Sequence, residues 1–372
     1  MSVQKKGNKW YAAVYLGIKD GEQEYDWSDG FDKKEDAQLI ELEMKANVIK
    51  SNHKVYDKEL FSSISDKWLK MRKITVAKTT FRTNSNYYRI YIKDYFKGKL
   101  TKDIDSQDIF DFMMQIGKSA ATVNKAMNIL KQIFDFAISL HQIRTNPCIG
   151  IKKPTVKKKK KKTWNEKSIN LFLSLRETKS CESYTAYLIM FTTGMRPGEV
   201  CGLRWCDWID DYFIPTLGVD DHGEYTDLKN DKAHDPVFID HRVMSQLNKL
   251  HAAQKALYRD INSHLPLDQQ ILPEESFINC ILPDMRPMSP PYLRKRFYRI
   301  MENNKLNKIR LYDSRHSFGT NMMRNKVNPK QVAEMMRHTS VKTTLDNYSH
   351  VDEEMYKNTS RTYNDKIFKQ AK

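Results

Sequence analysis

The sequence predicts a mainly α protein with small β-sheets: an N-terminal three-stranded sheet plus helix, a helical bundle, and a larger mixed α/β domain. Three observations predict it. Apolar residues recur at helical spacing along most of the 372 residues. Runs rich in β-formers and bounded by turn residues occur in two places, near the N-terminus and between Tyr212 and Ile239. Six consecutive lysines, Lys157 to Lys162, stand between two helical blocks, and so dense a run of like charge repels itself and stays extended.

Residues 1–52 read as one small unit. Trp10 to Leu16 is a strand, Lys19-Asp20-Gly21 a turn, and Glu22 to Trp27 the returning strand. Phe31, after Asp29-Gly30, is expected to start a third extended piece. Asp32 with Glu35 matches a capping box, and Ala37, Ile40, Met44 and Val48 then share one helical face. A sheet and one helix bury little apolar surface, so this is an appended module. Residues 58–152 are helical. Ile64, Trp68 and Met71 form one stripe, Tyr87, Tyr88 and Tyr91 another, and Ile109, Phe112, Met113 and Ile116 a third. The longest runs from Val123 to Ala137, capped by Thr122 or Ser119, and Asn146-Pro147 ends the block. These stripes are read as the core of a four-or-five-helix bundle rather than a cofactor box. Residues 153–163, from Pro154 through the lysine run, are a basic linker.

Residues 164–372 are the largest unit. Thr163 with Glu166 suggests another capping box. Helical patterns cover Ile169 to Leu175 and Tyr184 to Phe191. After the β-rich stretch they resume at Val243, Met244, Leu247 and Leu250, then at Pro290 to Met301, Asp313 to Met323 and Pro329 to Met336. No internal repeat, GxGxxG or Walker loop is found in the sequence.

Lysine and arginine number 63 against 46 acids, a net charge of +17. That excess points to a polyanion, nucleic acid first, because neutralised phosphates release counterions and drive binding. Lys157, Lys158, Lys159, Lys160, Lys161 and Lys162 then serve both as tether and as a strap along DNA phosphates. The five cysteines are scattered, and Cys201 and Cys206 have no second ligand pair at zinc spacing, so idle thiols and no metal are expected. No apolar run approaches the roughly 20 residues that cross a bilayer, and Met1 to Trp10 lacks the apolar stretch of a signal peptide. A soluble cytoplasmic protein without membrane contact is the expectation.

Three segments of the last unit carry candidate chemistry. Thr193-Gly194-Met195-Arg196-Pro197-Gly198-Glu199-Val200 breaks an apolar helix at Gly194 and restarts one at Pro197, leaving Arg196 at the junction with Glu199 to orient it. An arginine held there can clamp an oxyanion, although an Arg–Glu pair alone is as readily structural. Leu311-Tyr312-Asp313-Ser314-Arg315-His316-Ser317 puts Arg315 and His316 early in a helix. Arg337-His338-Thr339-Ser340-Val341-Lys342-Thr343-Thr344-Leu345-Asp346-Asn347-Tyr348 sets a histidine ten residues before a tyrosine.

In this order the three segments resemble the boxes of the tyrosine recombinases, the phage integrase family, and the likeness covers nearly the whole chain. The layout is similar to integrases of Gram-positive phages and conjugative elements. The resemblance implies an arm-site DNA-binding module at 1–52, a core-binding bundle at 58–152 and a catalytic domain with a C-terminal tail at 164–372. It implies Arg196 and Arg315 on the scissile phosphate, His338 beside them, Tyr348 as nucleophile, and Glu199 and His316 in support. Lys229 resembles the family's β-hairpin lysine that protonates the leaving group, with Lys232, across the predicted turn, as the alternative. Tyr312 stands where the family usually has histidine. A phenol with its ordinary pKa near 10 is a poor base at neutral pH, so Tyr312 fits a phosphate donor better than a proton acceptor. In the arm module, Trp10, Tyr11 and nearby lysines are candidates for DNA, or Trp10 packs on the module's own helix. The implied activity is site-specific integration or excision of a mobile element through a 3′-phosphotyrosine, with no cofactor. Implied partners are double-stranded DNA at core and arm sites, a homo-tetramer on DNA, an excisionase and a host DNA-bending protein. Two alternatives are type IB topoisomerase-like relaxation and a non-catalytic DNA-binding regulator.

Overall fold

In the computed structural model, residues 3–19, 22–51, 59–156, 162–228, 231–281, 285–348 and 364 are described. The chain forms two compact units, Met1–Lys158 and Lys159–Lys372.

The first unit opens with a meander of β1 (Val3–Lys6), β2 (Lys9–Lys19) and β3 (Glu22–Trp27), antiparallel in that order. The expected strands over 10–16 and 22–27 are present, but the third strand is β1, not a piece at Phe31. Phe31 makes only a single bridge to Trp10. β1 reads VQKK, with no alternation to reveal it. It is held by its pairing with β2 across the two-residue turn Gly7-Asn8. Helix α1 (Lys34–Ser51) packs on β2, with Ala12, Val14 and Ala37 buried. Because side chains alternate between sheet faces, Trp10 faces with Ala12 and Val14, and Lys34 at the start of α1 lies 5.5 Å over its ring. Tyr11, Tyr15, Tyr25 and Trp27 share the opposite face. There Tyr15 and Tyr25 meet edge-on at 5.4 Å, and Lys6 lies 3.6 Å over Trp27.

The bundle comprises α2 (Phe61–Thr75), α3 (Lys78–Tyr87) continuing into a π-turn at Tyr88–Ile92, α4 (Ser106–Gln115) and α5 (Ala120–Ser139). Its stripes close on one core that includes Phe61, Ile64, Trp68, Phe96, Phe112 and Phe134. Ser119 caps α5 by accepting from Thr122 N at 3.3 Å. Of the linker lysines, Lys157 to Lys161 lie outside the described residues, and Lys162 is exposed.

The second unit is built around α8. In order it has α6 (Glu166–Ser174), α7 (Arg176–Lys179), α8 (Tyr184–Thr193), α9 (Pro197–Gly202), β4 (Trp208–Ile209), β5 (Tyr212–Phe213), β6 (Gly218–Val219), β7 (Tyr225–Thr226), β8 (Val237–Phe238) and α10 (His241–Ser263). It continues with β9 (Cys280–Ile281), β10 (Arg286–Pro287), α11 (Pro290–Asn303), α12 (Asp313–Arg324), α13 (Pro329–Met335) and α14 (Val341–Tyr348). The β-rich stretch becomes a small sheet β4-β5-β8 and a hairpin β6-β7. α8 is apolar all round and buried from Thr185 to Phe191, as a helix at the centre of a domain must be. The cap of α6 is Asn165, which accepts from Ser168 N at 2.9 Å, rather than Thr163. The reason is Trp164. Its N–H donates to Ser317 Oγ at 2.9 Å, its carbonyl accepts from Asn321, and its indole stacks on Phe191. The chain is thereby pinned to α12 before it can turn helical.

Candidate active site

The first box is shaped by glycine. Gly194 ends α8 in the left-handed conformation, φ 69°, and a Cβ there would lie 2.5 Å from the Phe318 ring of α12. Both conditions call for glycine. Arg196 then becomes the N-cap of α9, with Pro197 in the first turn, where its missing N–H costs nothing. A Cβ at Gly198 would meet Val219 O at 2.7 Å, so α9 sits directly on β6 and the direction in which Arg196 leaves is fixed. Glu199 reaches back to accept from Arg196 N at 3.1 Å and from Arg196 Nη1 at 2.5 Å.

The second box lies at the start of α12, which packs on α8. Asp313 accepts from Arg310 N and from its guanidinium at 2.8–3.0 Å, closing the turn before the helix. Arg315 is 1% exposed. Its Nη1 donates to Gly194 O at 2.7 Å, and its Nη2 donates to Met336 O. One side chain thus joins all three boxes. His316 is buried and meets the Tyr312 ring edge-on at 5.4 Å. Tyr312 is 44% exposed, with its hydroxyl beside Arg196.

The third box follows α13. Arg337 turns left-handed at φ 53°, and the buried His338 places Nδ1 2.7 Å from Thr344 Oγ1. That bond fixes the ring plane and leaves Nε2 as its other polar atom. α14 packs against α12 and α13. Tyr348 is the last residue of α14, and its side chain lies outside the described residues. Lys229 also lies outside them. Lys232 is exposed in a 3₁₀ turn, Asp231–His234, rather than on a strand, so hairpin alternation does not govern where it points.

Two residues that sequence reasoning left unassigned belong to this cluster. Arg337, 1% exposed, donates from Nη2 to Glu199 Oε2 at 2.5 Å and from Nη1 to Ala233 O at 2.7 Å. Thr344 is buried against His338. The local sequence, Val332-Ala333-Glu334-Met335-Met336-Arg337, offered little beyond a charge directly after two methionines. Glu199 is therefore shared by two guanidinia. Burial alone would raise its carboxyl, but Arg337 and Arg196 hold it below the usual range. Burial works against the Arg196 charge, yet Glu199 and the Tyr312 hydroxyl more than offset it and raise its pKa. For Arg337 burial outweighs Glu199 and the pKa falls, although a guanidinium stays charged at neutral pH. Fixed cationic donors in a dry setting can stabilise charge developing on an oxyanion.

The phage integrase family profile matches residues 162–355. An arm DNA-binding domain profile matches residues 2–48, and a phage integrase N-terminal SAM-like domain profile matches 60–116. The ICEBs1 integrase of Bacillus subtilis (strain 168) is 26% identical over 319 residues, covering 79% of this chain and 80% of that protein. The Tn1549 transposon integrase, solved in complex with a circular intermediate DNA, superposes with a TM-score of 0.64 at 19% identity, covering 82% of this chain and 99% of that one. A lambda integrase tetramer bound to a Holliday junction gives 0.58 at 15%, covering 95% and 97%. At these identities the structural likeness shows a shared fold.

Proposed function

This chain belongs to the phage integrase family and is a tyrosine-type site-specific recombinase of mobile genetic elements, and we propose that it cuts DNA with the hydroxyl of Tyr348. The observation that carries this reading is the convergence of Arg196, Arg315 and His338 through Glu199, Gly194 O, Met336 O and Thr344. Arg196 and Arg315 clamp the non-bridging oxygens, His338 adds a donor, and Tyr312 bonds the phosphate alongside Arg196. As the Oη–phosphorus bond forms, the phenolic proton passes to solvent water. The bond to the 5′ oxygen breaks, and that oxygen takes a proton from Lys229, or from Lys232. The phosphotyrosine conserves the bond energy, so a 5′ hydroxyl from a second duplex reverses the step and exchanges strands.

The DNA partner follows from the family and from the +17 charge. We assign residues 1–52 to arm sites, with the open sheet face of Tyr11, Tyr15, Tyr25 and Trp27 toward the groove. Residues 58–152 and 164–372 hold the core site, with the 153–163 linker, including Lys157 to Lys162, along the phosphates. A homo-tetramer on DNA, an excisionase and a host bending protein complete the proposed assembly.

The test is a nicked suicide duplex carrying the element's core site. Wild type is expected to form a covalent protein–DNA adduct and Tyr348→Phe none. An adduct from the Phe variant refutes the nucleophile. Relaxation of supercoiled DNA that lacks any core site points instead to the topoisomerase alternative.

A further inference from the structure

Arg337 stands in a setting that disfavours it twice over. Its backbone is left-handed at φ 53°, a conformation few residues with side chains adopt. Its guanidinium is buried, and its Nε has no hydrogen-bond partner among the described residues. What the side chain gains is a fork divided between two distant acceptors, Ala233 O through Nη1 at 2.7 Å and Glu199 Oε2 through Nη2 at 2.5 Å. Ala233 is buried in the 3₁₀ turn Asp231–His234, which follows Lys229 and contains Lys232. His234 Nδ1, 3.1 Å from Pro215 O, anchors the same turn from its far end. Glu199 is the carboxylate that orients Arg196. Arg337 therefore links the turn that contains Lys232, and that Lys229 precedes in sequence, to the arginine assigned to the phosphate.

We propose that Arg337 is a positioning residue for leaving-group protonation: by tying Ala233 to Glu199 it sets the register of the lysine-bearing turn against the phosphate clamp. The proposal rests on a lysine of this turn being the acid. In the step it governs, the Tyr348 Oη–phosphorus bond forms as the phenolic proton passes to solvent, the phosphorus–O5′ bond breaks, and the lysine ammonium gives its proton to O5′ and becomes an amine. A lysine at 337 keeps a cation beside Glu199 but replaces the fork with a single point of donation. A glycine keeps the left-handed backbone without strain and removes the side chain.

The experiment measures adduct formation by the full chain on two core-site suicide duplexes, one with the natural 5′ oxygen and one with a 5′-bridging sulfur at the cleaved bond. A thiolate leaves without being protonated, so the sulfur duplex bypasses the acid. Arg337→Lys and Arg337→Gly are expected to be slowed at least about tenfold on the oxygen duplex, less than the roughly hundredfold lower end for losing the acid itself, because the lysine is displaced and not removed. On the sulfur duplex Arg337→Lys, which keeps the charge, should stay close to wild type, and Arg337→Gly, which removes it, should recover most of its loss. Equal losses on both duplexes, or no loss on oxygen, overturn the proposal. Arg337→Lys preserves the buried charge and gives the deciding comparison should the glycine variant fold poorly. Lys229→Ala and Lys232→Ala are run alongside. If neither shows a sulfur-rescued defect, the lysine-acid reading itself has failed. If one does and the Arg337 variants do not, only the positioning role has failed.

Discussion

Glu199→Gln tests whether the shared carboxylate organises the site. The glutamate is buried, Arg337 beside it is 1% exposed, and Arg196 is half-buried. Removing one partner of a buried ion pair costs about 3–5 kcal/mol, because the remaining charge stays out of water. Glutamine keeps one carbonyl acceptor for one of the two guanidinia, so the low end applies, about 3 kcal/mol. For a unit the size of Lys159–Lys372, each kcal/mol moves the midpoint by about 2–4 °C, so the expected drop is roughly 6–12 °C. Calorimetry of the full chain is the assay, with the transition of Met1–Lys158 as internal reference. The loss must also depend on pH. The carboxyl is held below its ordinary 4.5, so between that value and its folded pKa the unfolded chain binds the extra proton and stability rises with pH. The stabilisation is complete above pH 4.5 and disappears as pH falls through the folded pKa. The gap between wild type and Glu199→Gln should therefore be constant near neutrality and shrink in acid. A gap under about 1 kcal/mol at pH 7, or one that widens in acid, refutes the argument that this pair is buried and ionised.

Tyr312→Phe removes a hydroxyl beside Arg196 from a side chain that is 44% exposed. Losing a hydrogen bond to a charged group should slow adduct formation roughly tenfold to a hundredfold while the melting temperature stays within about 2 °C, and an unchanged rate would take Tyr312 off the phosphate. Deleting residues 1–52 should abolish arm-site binding in a gel-shift assay and leave core-site cleavage measurable; loss of both would contradict the assignment of that module.

Legibility followed sequence distance. Gly194, Pro197 and Glu199 announce the first junction because capping, left-handed closure and the first-turn proline are decided within a few residues. The bundle stripes were readable for the same local reason, and Ile64, Trp68 and Phe134 do meet in one core. β1 was not read, since a strand of polar residues is stabilised only by its neighbour, although the Gly7-Asn8 turn was a usable hint. The choice of Asn165 over Thr163 as a cap depended on where Trp164 docks, across more than 140 residues of chain. Arg337 was least legible, because its partners Glu199 and Ala233 lie 138 and 104 residues away.

The charge balance of the cluster is compatible with an acidic residue in a site proposed for an anion. Arg196, Arg315 and Arg337 contribute three positive charges and Glu199 one negative, leaving a net of two. A phosphodiester carries one negative charge in the ground state and approaches two when the tyrosine oxygen adds. Fixed positive charge interacts more strongly with the second number than with the first, so it favours the transition state over bound substrate, which is the condition for accelerating cleavage rather than merely tightening binding. Without Glu199 the guanidinia of Arg196 and Arg337 would face one another unscreened in a buried setting. Glu199 therefore does two things at once: it makes the burial of Arg337 affordable, and it holds Arg196 in the orientation proposed for the phosphate.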